Sequence, residues 1–380
     1  MTTSAEIRSL YVHVPFCHTL CGYCDFYSQV IDRRSVAPLV DALLLELQQL
    51  AAEHEIAIET LFVGGGTPTT LPPEELSRLL RALESLPRGE DTLEFTVEAN
   101  PATVNSEIAG VLARHAVNRV SIGAQSFDPS ELRVLERIHA PKQVVDTVAA
   151  CRAAGIERIN VDLIFGVPGQ SLAAWESNLE RVLELRTEHL SCYGLTYERG
   201  TPLFRQLQQG LVRRVDAEVE AEMYETTIDR LGAAGFGHYE ISNFARPGRE
   251  CRHNLRYWHN QTYAGIGPAA AGFVRGLRYK NVPDTAEYVR AIQAGRSPRI
   301  EHERLTLDRT ARETAMLELR LIEGIDRRCF AERFGHDPMD LFRDAVAKHV
   351  ELELLAVDEH ALRLTRAGLL LADSVIADFL

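Results

Sequence analysis

Between Ser9 and about Thr201 the chain repeats one pattern six times, a short apolar run followed by a longer stretch with amphipathic helical spacing. The runs are Leu10–Pro15, Thr60–Val63, Leu93–Val97, Arg119–Ile122, Ile159–Ile164 and Leu190–Leu195. Such alternation is the pattern of repeated βα units and a parallel sheet, because each helix carries the chain back to start the next strand in the same direction. Six units can curl into an incomplete barrel with one open side. In folds of this kind the active face lies at the C-terminal ends of the strands.

The chemically unusual residues collect on that face. After the first run comes Cys17-His18-Thr19-Leu20-Cys21-Gly22-Tyr23-Cys24, and after the second Gly64-Gly65-Gly66-Thr67-Pro68. Glu98-Ala99-Asn100-Pro101 follows the third, Gly123-Ala124-Gln125-Ser126 the fourth, and Asp162 lies within the fifth. The spacing C-x3-C-x2-C supplies three thiolates from one loop. A cubane cluster or a structural zinc site closes with four sulfur or nitrogen donors, so three leave one corner open, which serves chemistry rather than structure. Two other readings of the same spacing are three unrelated buried thiols and a zinc loop completed by a distant histidine. The glycine run lets the backbone approach a ligand and offers N–H groups to an anion or carboxylate, or it is simply a tight turn. Neither the phosphate-loop nor the dinucleotide fingerprint is present.

Past Gly200-Thr201-Pro202 the βα rhythm stops, and Arg205–Leu231 reads as one long charged helical region ending at Gly232. A Gly- and aromatic-rich segment runs from Gly235 to Phe273, and the chain from about Ser297 is helical with a strand–turn–strand signal at Leu354–Leu364. The expected division is a partial barrel over 1–204, an α+β extension over 205–296 and a small winged-helix-like domain over 297–380. A formal charge of −13 argues against a broad nucleic-acid surface. The apolar helical runs are broken by acids well short of the roughly 18 apolar residues of a transmembrane segment, and Met1–Glu6 lacks the basic-then-apolar pattern of an export signal. Seven cysteines without such a signal suit a reducing, cytoplasmic location, where cysteine spacings more often bind metal than form disulfides. Cys151, Cys192 and Cys329 read as small buried hydrophobes.

Tyr11-Val12-His13-Val14-Pro15-Phe16-Cys17 with Cys21 and Cys24, the glycine motif, Glu98, Gln125 and Asp162 together resemble the radical S-adenosylmethionine (SAM) superfamily. More narrowly they are similar to its oxygen-independent coproporphyrinogen III oxidase branch, over nearly the whole chain. The resemblance implies an incomplete (β/α)6 radical SAM barrel with a [4Fe-4S] cluster on Cys17, Cys21 and Cys24. SAM would chelate the unique iron and be cleaved on reduction to a 5′-deoxyadenosyl radical. Tyr11, Tyr23, Gly65, Gly66, Thr67, Glu98, Gln125, Arg137, Asp162 and Thr196 match family positions lining the SAM site. Acidic and amide groups there can accept from an ammonium and ribose hydroxyls, and a cation such as Arg137 can meet the carboxylate.

Coproporphyrinogen dehydrogenases of the branch carry a further cysteine two residues after the third, where this chain has Phe26, and an N-terminal extension for which there is no room before Leu10. Cys251-Arg252-His253-Asn254-Leu255-Arg256-Tyr257-Trp258 contains H-N-x-x-Y-W, which resembles the signature of the heme chaperone family HemW. That resemblance implies heme as cargo, with apo-hemoproteins as recipients and a heme donor and a second copy of the chain as further candidate partners. A neutral His253 imidazole is a competent axial ligand, Cys251 is a second one, and Tyr257 and Trp258 offer flat faces to a macrocycle. Taken without the resemblance, the same residues read as core packing. The enzyme reading, an oxygen-independent coproporphyrinogen III dehydrogenase or another radical SAM tetrapyrrole enzyme, uses the same cluster.

Overall fold

All six expected strands form, in parallel and in sequence order, in a computed structural model that describes residues 6–380. Met1–Ala5, most of the stretch read as lacking an export pattern, lie outside the described residues. Strand β1 (Glu6–Val14) starts four residues earlier than its apolar run and leads into the cysteine loop. A two-residue pair, β2 (Phe16–Cys17) with β3 (Gln29–Val30), closes that loop. Then follow β4 (Glu55–Gly65), which pairs in parallel with β1, and β5 (Glu94–Ala99), β6 (Arg119–Gln125), β7 (Arg158–Phe165) and β8 (His189–Gly194), each pairing in parallel with the strand before it.

The helices α1 (Arg33–Glu53), α2 (Pro73–Glu84), α3 (Ser106–Arg114), α4 (Pro129–Val134), α5 (Pro141–Ala153) and α6 (Leu172–Glu184) make the crossovers. Every second strand residue packs against them: Leu10, Val12, Leu61, Val63, Phe95, Val97, Val120, Ile122, Val161 and Leu163 are fully buried. The alternate residues face the lumen and are polar, among them Ser121, Asn160, Asp162 and Ser191. Helix α1 is long and apolar enough by length and composition to cross a membrane. Here its Val36, Leu39, Val40, Leu43, Leu47 and Leu50 stripe enters the main core.

The expected long charged helix is two helices, α7 (Pro202–Gln208) and α8 (Ala217–Ala233). The break falls at Gly210, which takes a left-handed φ of 71° that ends a helix. The glycine- and aromatic-rich segment adds strands to both edges of the barrel sheet. β9 (Gly237–Glu240) and β10 (Asn243–Ala245) run antiparallel beyond β8, and β11 (Ala264–Ile266) pairs in parallel with β1. The sheet therefore has nine strands and stays open. Helix α9 (Arg252–Trp258) lies between these additions. A second sheet of β12 (Ala271–Val274), β13 (Leu277–Asn281) and β14 (Arg299–Arg304) packs beside β11 at the edge of the barrel sheet. The C-terminal region has its own core, which includes Leu319, Ile325, Phe330, Leu362, Val375 and Phe379, around the small sheet β15 (Ile325–Asp326), β17 (Ala361–Leu364), β16 (Leu355–Val357). Cys329 is exposed, not buried as expected, because it sits on the outer face of the Arg327–Phe334 helix.

Candidate functional site

The cysteine loop is held at three points. Gln29 N–H donates to Pro15 O at 2.7 Å, Ile31 N–H to Cys17 O at 2.9 Å, and Leu203 N–H, at the start of α7, to Gly22 O at 2.8 Å. Cys17, Cys21 and Cys24 are half-buried and free, and all three line one cavity of about 550 Å³ at the C-terminal ends of the strands. Arg137 donates to Cys21 Sγ at 3.4 Å and to Gly123 O. Burial alone lowers its pKa, but Tyr23 and Cys21 outweigh that and hold it cationic. Thr67 Oγ1 lies 3.6 Å from Cys17 Sγ. Burial pushes the Cys17 thiol up and the Cys24 thiol up to about 11, so these sulfurs need a metal to become thiolates.

Among the described residues no three Cys, His, Asp or Glu side chains converge closely enough to hold a single ion, as a zinc site requires. In a cubane each thiolate meets a different iron, and three thiols spread along one cavity wall suit that demand.

Gly65, Gly66, Thr67, Glu98, Gln125, Asp162, Thr196 and Tyr23 line the same cavity, so the structure brings the expected set together apart from Tyr11, which faces a neighbouring chamber. The glycine run does not present free donors. Gly65 N–H donates to Glu98 Oε2 at 3.0 Å, Gly66 N–H to Val14 O at 2.9 Å and Thr67 N–H to Phe16 O at 2.7 Å. Its glycines answer a packing demand: a Cβ on Gly65, whose φ is 103°, would come within 2.4 Å of the His13 ring, and one on Gly64 within 2.5 Å of Glu98.

Two half-buried carboxyls face the cavity. Burial, then Asp162, pushes Glu98 up to about 7. Burial also raises Asp162, against donation from Ser191, Asn160 and Ser121 and the nearby Arg119 cation. Arg119, Asn160, Ser121 and Ser191 line the floor and were not singled out from the sequence. Asn160 Nδ2 donates to Asp162 Oδ1 at 2.7 Å and to Ser121 Oγ at 2.8 Å. His189, its pKa lowered by burial, is neutral; its Nδ1–H donates to Asn160 Oδ1 at 2.6 Å and its Nε2 accepts from Tyr239 OH at 2.8 Å.

Residues 11–182 match the Radical SAM superfamily and residues 305–371 the HemN C-terminal domain. Heme chaperone HemW of Lactococcus lactis is 36% identical over 373 residues, covering 98% of this chain and 97% of that protein. HemW of Bacillus subtilis is 36% identical over 376 residues, covering 98% and 99%. The chain belongs to the heme chaperone HemW family. A mitochondrial radical S-adenosyl methionine domain-containing protein 1 from Danio rerio is 33% identical over 98% of the chain and 86% of its own length. Among solved structures, coproporphyrinogen III oxidase HemN from Escherichia coli, described as a radical SAM enzyme, superposes with a TM-score of 0.86. It covers 99% of this chain and 90% of its own at 23% identity, a shared fold. Membership of the radical SAM superfamily implies a [4Fe-4S] cluster and SAM.

In this HemW relative the H-N-x-x-Y-W residues occupy α9, which the Glu94 carboxylate anchors. That carboxylate accepts from His253 N–H at 3.0 Å, Arg252 N–H at 3.1 Å and Arg158 at 3.0 Å. Burial favours its neutral form, but Arg119 and Arg158 outweigh it, and Glu94 stays ionised below the usual carboxylate range. His253 is completely buried. Thr60 spends its hydroxyl hydrogen on Ser9 at 2.9 Å, so His253 Nδ1–H donates to Thr60 Oγ1 at 2.9 Å, and Nε2 accepts from Tyr257 OH at 2.7 Å. Cys251 is also fully buried, its thiol directed at Glu94 and pushed up to about 12 by burial. As folded, neither presents a free donor atom to a ligand. Tyr257 does reach the cavity, whereas the Trp258 ring lies under Arg320, 5.1 Å from its guanidinium.

Proposed function

We propose that this chain binds heme and passes it to apo-hemoproteins, holding a [4Fe-4S] cluster and SAM on the barrel rim. The carrying observation is the end-to-end likeness to proteins named heme chaperone HemW. Cys17, Cys21 and Cys24 would hold the cluster, leaving one iron for SAM, which supplies one-electron chemistry when bound. Glu98, Gln125, Asp162 and Arg137 would orient the charged ends of SAM. Gly65, Gly66 and Thr67 shape the wall and Thr196 completes the rim. Of the heme motif, Tyr257 is the residue aimed at ligand space; His253 would act through it, while Cys251 and Trp258 tie α9 to Glu94 and to the C-terminal region. Ligation by His253 itself would require its bond with Tyr257 to open.

The alternative reading, porphyrinogen oxidation, draws on the fold shared with HemN. Against it stands Phe26, two residues past Cys24 at the cavity rim, with no sulfur to offer. Recipients, a heme donor and a second copy remain its proposed partners, and a reducing cytoplasm suits seven free cysteines. The deciding experiment gives the anaerobically reconstituted chain hemin and an apo-hemoprotein in one vessel, and coproporphyrinogen III, SAM and reductant in another. Heme transfer without protoporphyrinogen formation supports the chaperone reading; porphyrinogen turnover without heme uptake overturns it.

A further inference from the structure

A second chamber of about 540 Å³ lies beside the cluster cavity, a volume typical of cofactor sites. The two share Asp25, Phe26, Gly65, Glu98 and Tyr257 as a common wall. Aromatic side chains dominate the second chamber, with Tyr11, Tyr257 and Tyr263 facing it from the barrel side and the extension. Phe26 stands at the junction with 71% of its surface exposed, the most exposed large apolar side chain among the described residues. An unburied phenyl ring next to a cavity lined by phenol rings marks a face built for a flat apolar partner.

The far wall is the sheet of β12 and β13, where Ala271 and Lys280 sit opposite each other. Lysine is scarce in this chain: Lys142, Lys280 and Lys348 are its complete set. Lys142 is paired with Asp146 and Lys348 with Asp378. Lys280 is exposed and, among the described residues, has no ion pair, although Glu301 faces it across the strand pair. An apolar chamber with one unspent ammonium at its edge is complementary to a flat ring that carries carboxylates. Glu98 and Asp25, the acids of this chamber, both lie on the wall shared with the cluster cavity, which leaves Lys280 as the one lysine or arginine among the residues lining it.

Resting on the heme-binding reading, we infer that the second chamber is where the heme ring docks, its edge stacked on Phe26 and Tyr257 and a propionate paired with Lys280. In this arrangement His253 is a positioning residue that holds Tyr257 in the wall. Heme and cluster site would then be separated by one layer of side chains.

The test uses the reconstituted full chain, acetylated with an amine-specific reagent with and without hemin, and mass spectrometry of the three lysines. Docking in the chamber predicts that hemin slows acetylation of Lys280 at least about fivefold and leaves Lys142 and Lys348 unchanged as internal controls. Lys280→Glu should weaken hemin binding about tenfold, and Ala271→Trp, which fills the chamber, should abolish it, both with iron and sulfide contents unaltered. Hemin that binds while Lys280 is acetylated at its free rate, or that binds both variants as tightly as the parent, overturns the location and leaves the chaperone reading standing. A parent chain that takes up no hemin overturns that reading and the location with it.

Discussion

Glu98 should be a residue whose removal stabilises the ligand-free protein while damaging its function. Its half-buried carboxyl lies between Gly65 and Asp162 and is held at about 7 against an ordinary 4.5, first by burial and then by the neighbouring acid. At about 1.4 kcal/mol per tenfold change in proton affinity, that gap corresponds to about 3 kcal/mol. The sign follows from which state holds the proton. Between pH 4.5 and about 7 the folded chain keeps a proton that the unfolded chain has released, so stability falls as pH rises through this window. Glu98→Gln keeps an acceptor for the Gly65 N–H and removes the titration. Urea unfolding of the metal-free chain, followed by tryptophan fluorescence at pH 5 and pH 8, should show the variant about 2–3 kcal/mol more stable than the parent at pH 8 and nearly equal at pH 5. The same variant should bind SAM at least about tenfold more weakly, having lost a charged acceptor. A variant less stable at pH 8, or a difference that does not change with pH, would refute the reasoning.

The other predictions concern the loop, its arginine and the anchored helix. Replacing Cys17, Cys21 or Cys24 with Ser should each abolish bound iron and acid-labile sulfide after reconstitution, measured by chemical analysis, with the fold intact by circular dichroism. Arg137→Gln removes a cationic donor to Cys21 Sγ and should lower the cluster potential by roughly 40 mV, the one-electron equivalent of about 1 kcal/mol, in an electron-paramagnetic-resonance redox titration. Glu94→Ala strands Arg119 and Arg158 and frees the start of α9; about 3–5 kcal/mol of stability should go, and amide exchange over 251–258 should accelerate. His253→Ala should cost about 2–4 kcal/mol by leaving Thr60 and Tyr257 without their partner, yet the absorption bands of bound hemin should keep their positions. A band shift would make the imidazole an iron ligand.

Strand number, strand order and the face carrying the chemistry were legible because buried parallel strands are written as short apolar runs and their C-terminal ends as breaks in that code. Arg119, Asn160, Ser121 and Ser191 were passed over for a related reason. Each sits inside a run dominated by Val, Ile and Leu, where attention goes to the residues that end it. The overlooked signal was alternation within the strand: Val120 and Ile122 outward with Arg119 and Ser121 inward, Val161 outward with Asn160 and Asp162 inward. It describes a barrel with a polar lumen rather than a packed one. The added strands β9, β10 and β11 are three or four residues long, too short to register a period, and only pairing with β8 and β1 creates them. His253 shows a different limit. A histidine beside Tyr and Trp reads equally as a ligand or as core, and only Thr60, 193 positions away, shows that its Nδ1 is taken.

The most direct measurement is pulsed electron paramagnetic resonance on the chain carrying the reduced cluster and, in place of iron heme, copper(II) protoporphyrin, which the reductant of the cluster leaves paramagnetic. Adjoining chambers on one rim predict that porphyrin uptake shortens the spin relaxation of the cluster and that Ala271→Trp restores it. A cluster whose relaxation is unchanged by stoichiometric copper porphyrin would contradict the shared rim.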